Sequence, residues 1–179
     1  MLEKETNMQR RSCLGLMASS AALGLNMSLT ACGFELRKTP SFAFKTLFSP
    51  LAESSVLGVE LRRSLEANGA VRVITDARQI DQADVIMDVI SDLRDKLVVS
   101  RNAAGLVREF QLRQRFRFKV RTPQGKELIP DSEILQVRDI SFNESAVLAK
   151  ESEEALLYRE MQSDVVQQIM RRLASITGL

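Results

Sequence analysis

The sequence predicts an α+β fold: a two-layer sandwich in which a mixed, mostly antiparallel sheet carries two helices packed on one face. Three patterns in the 179-residue chain support this class. The middle of the chain alternates apolar and charged residues with a period of two, which is typical of half-buried antiparallel strands. The segment before it has the order strand, helix, strand. The closing segment repeats apolar residues every three or four positions, which is typical of an amphipathic helix.

The strand–helix–strand segment is defined by short apolar runs and leucine spacing. Residues 42–48 and 71–75 have the length and composition of strands. Between them, leucines four positions apart predict a helix over residues 51–68, with Ser49 or Ser54 as its cap. A strand, a helix and a second strand in this order indicate a parallel pair of strands joined by a crossover.

The alternating region predicts a long hairpin. One strand covers residues 83–101, a turn follows at 102–105, and a second strand covers 110–121. Pairing Arg101 with Leu106 across the turn sets a register in which apolar residues face apolar residues and acids face bases. The apolar pairs are Leu97 with Phe110, Val89 with Phe118 and Met87 with Val120, and the acid–base pairs are Asp92 with Arg115 and Asp88 with Lys119.

Two further elements complete the predicted sheet and helical layer. A third strand occupies part of residues 127–142, in a register that the sequence leaves open. The last helix has an apolar stripe from Leu157 to Ile176. Glutamates near its start and arginines near its end complement the helix dipole.

The composition gives little support to catalysis. The chain has no histidine, and its two cysteines, Cys13 and Cys32, both lie in the N-terminal apolar region. The rest of the chain therefore lacks the most common general base, a thiol nucleophile and the preferred transition-metal ligands. We expect neither an enzyme nor a metal or organic cofactor.

Five basic residues share one face of the second hairpin strand and form the main electrostatic feature: Arg113, Arg115, Arg117, Lys119 and Arg121. One interpretation is a solvated face balanced by Asp84, Asp88 and Asp92 on the first strand. The other is a surface that binds phosphate or carboxylate groups, which arginine can contact through two parallel hydrogen bonds. Nucleic acid is a poor candidate partner, because the formal net charge is only +2 and few exposed aromatic residues are expected among the basic ones.

Two other basic residues stand apart from this row. Arg101 lies at the tip of the hairpin, where contacts with other molecules concentrate. Lys150 lies just before or within the first turn of the last helix, where a cation opposes the helix dipole. Neighbouring glutamates can neutralise it, but a residue that breaks a local rule remains a candidate for a binding site.

The N-terminal segment resembles the signal of bacterial lipoproteins. Arg10 and Arg11 precede a run without charged residues that ends at Phe34. Such a run is either a cleaved secretory signal or a membrane anchor, and its many small and polar residues favour the signal. Residues 29–32, with the sequence LTAC, resemble the lipobox that precedes cleavage and lipid attachment.

The lipobox implies how the chain is divided and where it resides. Residues 1–31 are expected to be the lipoprotein signal peptide, with translation starting at Met1 or Met8, and residues 32–179 a single domain. Cys32 would carry an N-acyl diacylglycerol group, which anchors the domain to the membrane. Gly33, rather than an aspartate, follows the cysteine, and in many bacterial lipoproteins this implies the outer membrane.

Further motifs resemble one family of such lipoproteins. Residues 32–37, CGFELR, follow the lipobox directly, and residues 142–150 contain FNE and then LAK before the last helix. With the long hairpin and the closing helix, these motifs resemble the LptE family of lipopolysaccharide-assembly lipoproteins. The resemblance covers essentially all of residues 32–179. Lys38 departs from it, because many members have glycine after the arginine.

The resemblance implies a role that is not enzymatic. Its members sit inside the outer-membrane β-barrel LptD, help it assemble, bind lipopolysaccharide and support its insertion into the outer leaflet. Basic residues at the hairpin tip and in the LAK motif are implicated in lipopolysaccharide binding, and these are Arg101 and Lys150 in this chain. The alternative is a periplasm-facing lipoprotein that assists an envelope lipid transporter.

Overall fold

A computed structural model describes residues 40–67 and 71–179. These residues form five strands and two helices: β1 (Thr46–Phe48), α1 (Val56–Ala67), β2 (Arg72–Ile74), β3 (Val85–Arg101), β4 (Val107–Arg121), β5 (Glu127–Ser141) and α2 (Val147–Ala174). Short 3-10 turns precede β3 and α2, at Ala77–Gln82 and Glu144–Ala146. The predicted signal peptide, the lipobox and Cys32 lie outside the described residues. Within the described residues, no helix is long and apolar enough to cross a membrane.

The five strands form one mixed sheet in the order β2-β1-β3-β4-β5. Strand β1 runs parallel to both β2 and β3, while β3, β4 and β5 pair antiparallel. Helix α1 connects β1 to β2, so the predicted parallel pair with a helical crossover is confirmed. The predicted α+β class is confirmed as well.

Both helices bury their apolar stripes against the same face of this sheet. The main core contains three leucines of α1 and five apolar residues of α2, packed on side chains from four strands: Leu57, Leu61, Leu65, Val165, Val166, Ile169, Met170, Leu173, Leu47, Met87, Phe116, Phe118 and Ile134. A smaller cluster on the other face packs Phe48, Ile74 and Ile86 beneath the 3-10 turn that carries Ile80. The predicted placement of two helices on one face is therefore confirmed.

Helix α1 begins at Val56, later than predicted, because a turn precedes it. The backbone N–H of Ser55 donates to the carbonyl of Ala52 at 2.9 Å, which closes this turn. The Ser55 hydroxyl then accepts a hydrogen bond from the N–H of Gly58 at 3.3 Å. The serine at this position, rather than either predicted serine, therefore holds the start of the helix.

The hairpin of β3 and β4 has the predicted register only near its base. The pairs that match the prediction are Met87 with Val120, Asp88 with Lys119 and Val89 with Phe118. A β-bulge between Val89 and Ser91 then adds one residue, Ile90, to β3. The three predicted pairs beyond the bulge are wrong, because Asp92 lies opposite Phe116, Leu97 opposite Gln111 and Arg101 opposite Val107.

The bulge exchanges the two faces of the outer half of β3. Because side chains alternate along a strand, the extra residue moves the side chains from Ser91 to Val98 to the other face, and two further register shifts then flank Ser100. Arg94 and Lys96 therefore face helix α2. Leu93 and Leu97 lie on the opposite face, where 49% and 40% of their surface is exposed.

A polar layer therefore lies between the outer half of the hairpin and α2. The Arg94 guanidinium donates to the side-chain oxygen of Gln162 at 2.7 Å. The side-chain NH2 group of Gln162 donates to the Glu60 carboxylate of α1 at 2.7 Å. Gln114, opposite Arg94 on β4, is completely buried. Neither polar atom of its amide has a hydrogen-bond partner among the described residues. This layer separates the main core from a smaller cluster formed by Leu112, Ile140 and Met161.

A carboxylate joins the short strand β1 to the long hairpin. The Asp84 carboxylate accepts hydrogen bonds from the backbone N–H groups of Lys45 at 2.8 Å and Thr46 at 3.0 Å. The Thr46 hydroxyl accepts in return from the Asp84 N–H at 2.8 Å. The hydrogen bond from Lys45, with smaller contributions from Thr46, holds the pKa of Asp84 below its ordinary value of 3.8. The charged form is thus favoured in the folded state.

We expect Asp84→Ala to lower the free energy of unfolding by about 1 kcal/mol at neutral pH, because it removes an acceptor of two backbone hydrogen bonds. A carboxylate with a lowered folded-state pKa stabilises the fold above its unfolded pKa and loses this effect as pH falls through the folded value. The two unfolding energies should therefore converge in acid, as measured by urea denaturation at several pH values. Asp81→Ala, in the adjacent exposed turn, is the control. A difference in unfolding free energy between the wild-type chain and Asp84→Ala that does not change with pH would contradict this account.

The two buried glutamines should respond oppositely to the same change. Gln114→Met should raise the free energy of unfolding by about 1–2 kcal/mol, because it removes a buried amide that lacks protein partners. Gln162→Met should lower it by a similar amount, because Arg94 and Glu60 lose their shared partner. Urea denaturation of both variants under one condition gives the comparison. Destabilisation of similar size in both would show that the Gln114 amide is satisfied in solution.

Candidate functional site

The basic row of β4 faces away from the helices, and most of it is paired with acids. Arg117 pairs with Asp131, and the hydrogen bond and charge of that carboxylate raise the pKa of Arg117. The remaining contacts are Arg121 with Asp88 at 2.8 Å, Lys119 with Asp88 at 4.0 Å, Arg115 with Glu133 at 3.7 Å, and Arg113 with the Gln111 side chain at 2.8 Å. Four of the five residues thus make cross-strand contacts with acids, and Arg113 contacts a glutamine of its own strand, so the row is not an open cationic surface.

Only one of the three predicted aspartates balances this row. Asp88 contacts two of its residues, whereas Asp84 bonds to the backbone of β1. Asp92 lies beyond the bulge, opposite Phe116 on the helix-facing side. The acids of β5 take their place, because β5 lies directly beside β4 along its whole length.

Arg101 lies at the end of β3 and helps to close the tip of the hairpin. Its guanidinium donates to the carbonyl of Gly105 at 3.0 Å. Gly105 has a φ of +80°, which favours glycine at this position of the turn. The Asn102 side chain accepts hydrogen bonds from the backbone N–H groups of Ala104 and Leu106. The Arg101 side chain is exposed and can use its other N–H donors for a ligand.

Lys150 lies in the first turn of α2, directly after a 3-10 turn that is capped by Asn143. The Asn143 side chain accepts hydrogen bonds from the backbone N–H and the hydroxyl of Ser145, which orders the 3-10 turn before the helix. The Lys150 ammonium then donates to the Ser141 hydroxyl at 3.0 Å and to Glu153 at 2.8 Å. Only 21% of its side chain is exposed, so Lys150 is held in place rather than freely solvated.

A pocket of about 220 Å³ lies beside Lys150, between the ends of the sheet strands and the first turns of α2. Its apolar wall consists of Phe110, Ile140, Phe142 and Val147, and its polar and charged members are Lys96, Ser141, Lys150, Glu151 and Glu154. The rings of Phe110 and Phe142 meet edge to face with their centres 5.3 Å apart. The structure thus places Lys150 in this pocket, which Arg101 does not line.

Lys96 is the pocket residue that the sequence did not reveal. Its ammonium lies 4.3 Å from the centre of the Phe110 ring and pairs with Glu154 of α2. The predicted register placed Lys96 on the outer face, and only the bulge at Ile90 turns it toward the helix. The pattern of apolar residues along β3 contains no sign of that bulge.

Tyr158 and Arg94 connect the pocket to the polar layer. The Tyr158 hydroxyl donates to the carbonyl of Asp95 at 3.1 Å, and the Arg94 guanidinium lies 5.4 Å from the centre of the tyrosine ring. Partial burial, together with the charge of Glu154, raises the pKa of Tyr158. This tyrosine therefore stays neutral and holds α2 against β3 beside Lys96.

The chemistry of the pocket suits an anionic amphiphile. Each of its two ammonium groups is paired with a glutamate, so the pocket can receive a hydrocarbon segment together with an anionic group that takes the place of such a carboxylate. The volume is below the roughly 300 Å³ of the smallest usual small-molecule sites, so the pocket fits part of a larger ligand. In residues 40–67 and 71–179, no cluster of three or more acidic, histidine or cysteine side chains could hold a metal ion.

Relatives of known name cover most of the chain. It is 32% identical over 163 residues to the LPS-assembly lipoprotein LptE of Yersinia pestis. The alignment covers 86% of this chain and 74% of the Yersinia protein. The chain is 29% identical over 160 residues to the LPS-assembly lipoprotein LptE of Pectobacterium atrosepticum. That alignment covers 87% of this chain and 84% of the Pectobacterium protein.

A solved structure and a family model agree with these relatives. The solution structure of lipoprotein B from Nitrosomonas europaea superposes with a TM-score of 0.67 at 28% identity and covers 79% of this chain and 90% of that one. The model of the LptE family, described as lipopolysaccharide-assembly, matches residues 44–173. This match includes α1, the hairpin, Lys150 and the apolar stripe of α2 as far as Leu173. The chain belongs to the LptE family.

Proposed function

We propose that this protein is the outer-membrane lipoprotein that binds lipopolysaccharide, plugs and helps to assemble the LptD β-barrel, and so supports insertion of lipopolysaccharide into the outer leaflet. The observation that carries the proposal is the pocket beside Lys150, which combines an apolar wall with ammonium groups. Lipid A, the membrane-embedded part of lipopolysaccharide, has the matching combination of acyl chains and phosphates. Family membership supplies the biological setting.

The lipid anchor is part of this proposal. Cleavage before Cys32 would leave an N-terminal cysteine that carries a diacylglycerol and an N-acyl chain. Several acyl chains are sufficient for stable membrane attachment, whereas a single chain binds only marginally. The anchor keeps the protein in the outer membrane, and the pocket rather than the anchor selects the ligand.

The sheet face opposite the helices is the proposed contact surface for the barrel. Leu93 and Leu135 lie on either side of Arg115 in neighbouring strands, and 49% and 46% of their surface is exposed. Arg115 lies 3.7 Å from Glu133, and Arg117, two residues further along β4, pairs with Asp131, so the charges of this face have acids beside them. The Nε of Arg115 is buried and has no hydrogen-bond partner among the described residues. Such a surface can pack against a protein wall without leaving uncompensated charge buried.

An affinity purification from detergent-solubilised outer membrane tests the barrel partnership. A C-terminally tagged chain should recover a large β-barrel protein in stoichiometric amount and retain it at high salt, because apolar contacts are not screened. Leu93→Asp should reduce this recovery at least threefold, because it buries a charge in the interface. Leu156→Asp, on α2 with 50% of the leucine exposed, is the matched control and should leave recovery unchanged. Recovery of the lipoprotein alone, or with an inner-membrane transporter, would favour the transporter-accessory function instead.

Lipopolysaccharide binding by the full lipidated chain tests the ligand. Lys150→Gln should weaken binding about tenfold, because it removes a partly buried charge-assisted donor. Arg101→Gln should weaken it less, because that side chain is exposed. Lys119→Gln removes the same charge from the paired row on the other face and should have no effect. Equal losses from all three changes would indicate attraction by net charge alone and would contradict a defined site.

A further inference from the structure

We propose that Lys96 is a second cationic group of the pocket, that Lys96 and Lys150 together bind a phosphate group of an acylated lipid, and that Glu154 is the counter-ion this phosphate displaces. The inference rests on the proposed function, because it assigns how that site holds its ligand.

The two lysines reach one pocket from opposite layers of the fold. Lys96 comes from β3 in the sheet, and Lys150 comes from the first turn of α2. Each ammonium has three N–H donors. Lys150 uses two of them on Ser141 and Glu153, and Lys96 uses one on Glu154. A phosphate between the layers can therefore be contacted from both sides.

The surrounding carboxylates select the charge of the ligand. Glu154 pairs with Lys96, Glu153 pairs with Lys150, and Glu151 also lines the pocket, so an anionic ligand must compete with these carboxylates. These ion pairs are partly exposed, and such pairs are weak. A phosphate monoester carries a charge of about −1.5 to −2 at neutral pH, which exceeds that of one carboxylate. A phosphate can thus displace Glu154 from Lys96, whereas a fatty-acid carboxylate gains nothing by the exchange.

The apolar wall selects an acylated phosphate over a free one. Lys96 lies over the ring of Phe110, and that ring packs edge to face on Phe142. Val147 continues the wall, and the neighbouring Leu148 is 79% exposed. A hydrocarbon segment adjacent to the phosphate would cover this surface, and its burial adds affinity that inorganic phosphate lacks.

A double-mutant cycle on the full lipidated chain tests the role of Lys96. Binding is measured in detergent with lipopolysaccharide and, separately, with phosphatidic acid in neutral mixed micelles. Lys96→Gln should weaken binding about threefold to fivefold, and Glu154→Gln should tighten it by a similar factor, in line with the coupling of partly exposed ion pairs. The variant carrying both changes should bind like Lys96→Gln, because Glu154 acts through Lys96.

Matched controls separate this site from general electrostatics. Lys119→Gln and Asp131→Asn make the same charge changes in ion pairs of the other sheet face and should leave affinity unchanged. Lys96→Arg keeps the charge and should retain most of the binding, which guards against a loss caused by altered folding. Thermal unfolding of each variant is recorded in parallel.

The outcomes are distinct for the two levels of the proposal. Unchanged binding in Lys96→Gln, beside weakened binding in Lys150→Gln, would overturn the role of Lys96 and leave the proposed function intact. Absence of lipopolysaccharide binding in the wild-type chain would overturn the proposed function itself. A gain in Glu154→Gln that persists without Lys96 would also refute the counter-ion role.

The choice of lipid identifies the ligand class. The expected pattern with lipopolysaccharide alone supports the site and names lipid A as the source of the phosphate. The same pattern with phosphatidic acid supports the shared phosphate–acyl chemistry and makes a phospholipid the second source. Competition by oleate or by inorganic phosphate at equal concentration would overturn the acylated phosphate as the ligand.

Discussion

The one-residue bulge at Ile90 determines how the rest of this structure is arranged. Below it, β3 contributes Val85, Met87 and Val89 to the face that packs on the helices. Above it, the same face is supplied by Arg94 and Lys96, while leucines turn outward. Within a few residues, β3 therefore changes from contributing apolar side chains to the core to contributing cationic side chains to the polar layer and the pocket. Without the extra residue, leucines would face α2 and the pocket would contain a single lysine.

Much of the fold was predictable from the sequence because its signals are local. The apolar stripe of α2, the period-two alternation of β4 and the strand–helix–strand order each depend on neighbouring residues, and each element is present as predicted. The start of α1 was misplaced because a turn at Ala52 and Ser55 was read as helix. The register of the outer hairpin was wrong for a different reason. The bulge leaves no mark in the apolar pattern of β3, because the leucines of β3 fit an unbroken strand equally well.

The candidate site was predictable only in part, because the sequence does not reveal the bulge in β3. Arg101 and Lys150 stood out by position, one at a hairpin tip and one against a helix dipole. Lys96 had no such mark, and its place in the pocket follows from the shifted register. The basic row attracted attention because five cations in alternation form a strong pattern. Its partners on β5 could not be identified while the register of that strand was open.

The length of the hairpin sets the distance between the pocket and the base of the sheet. Lys96, in the pocket, follows Val85, at the base of the sheet, by eleven positions along β3. At roughly 3.3 Å per residue this separation is about 36 Å. It is comparable to the hydrocarbon thickness of a bilayer, about 30 Å. The pocket and the base of the sheet are thus too far apart to touch one bound headgroup, so occupants at the two ends need not compete.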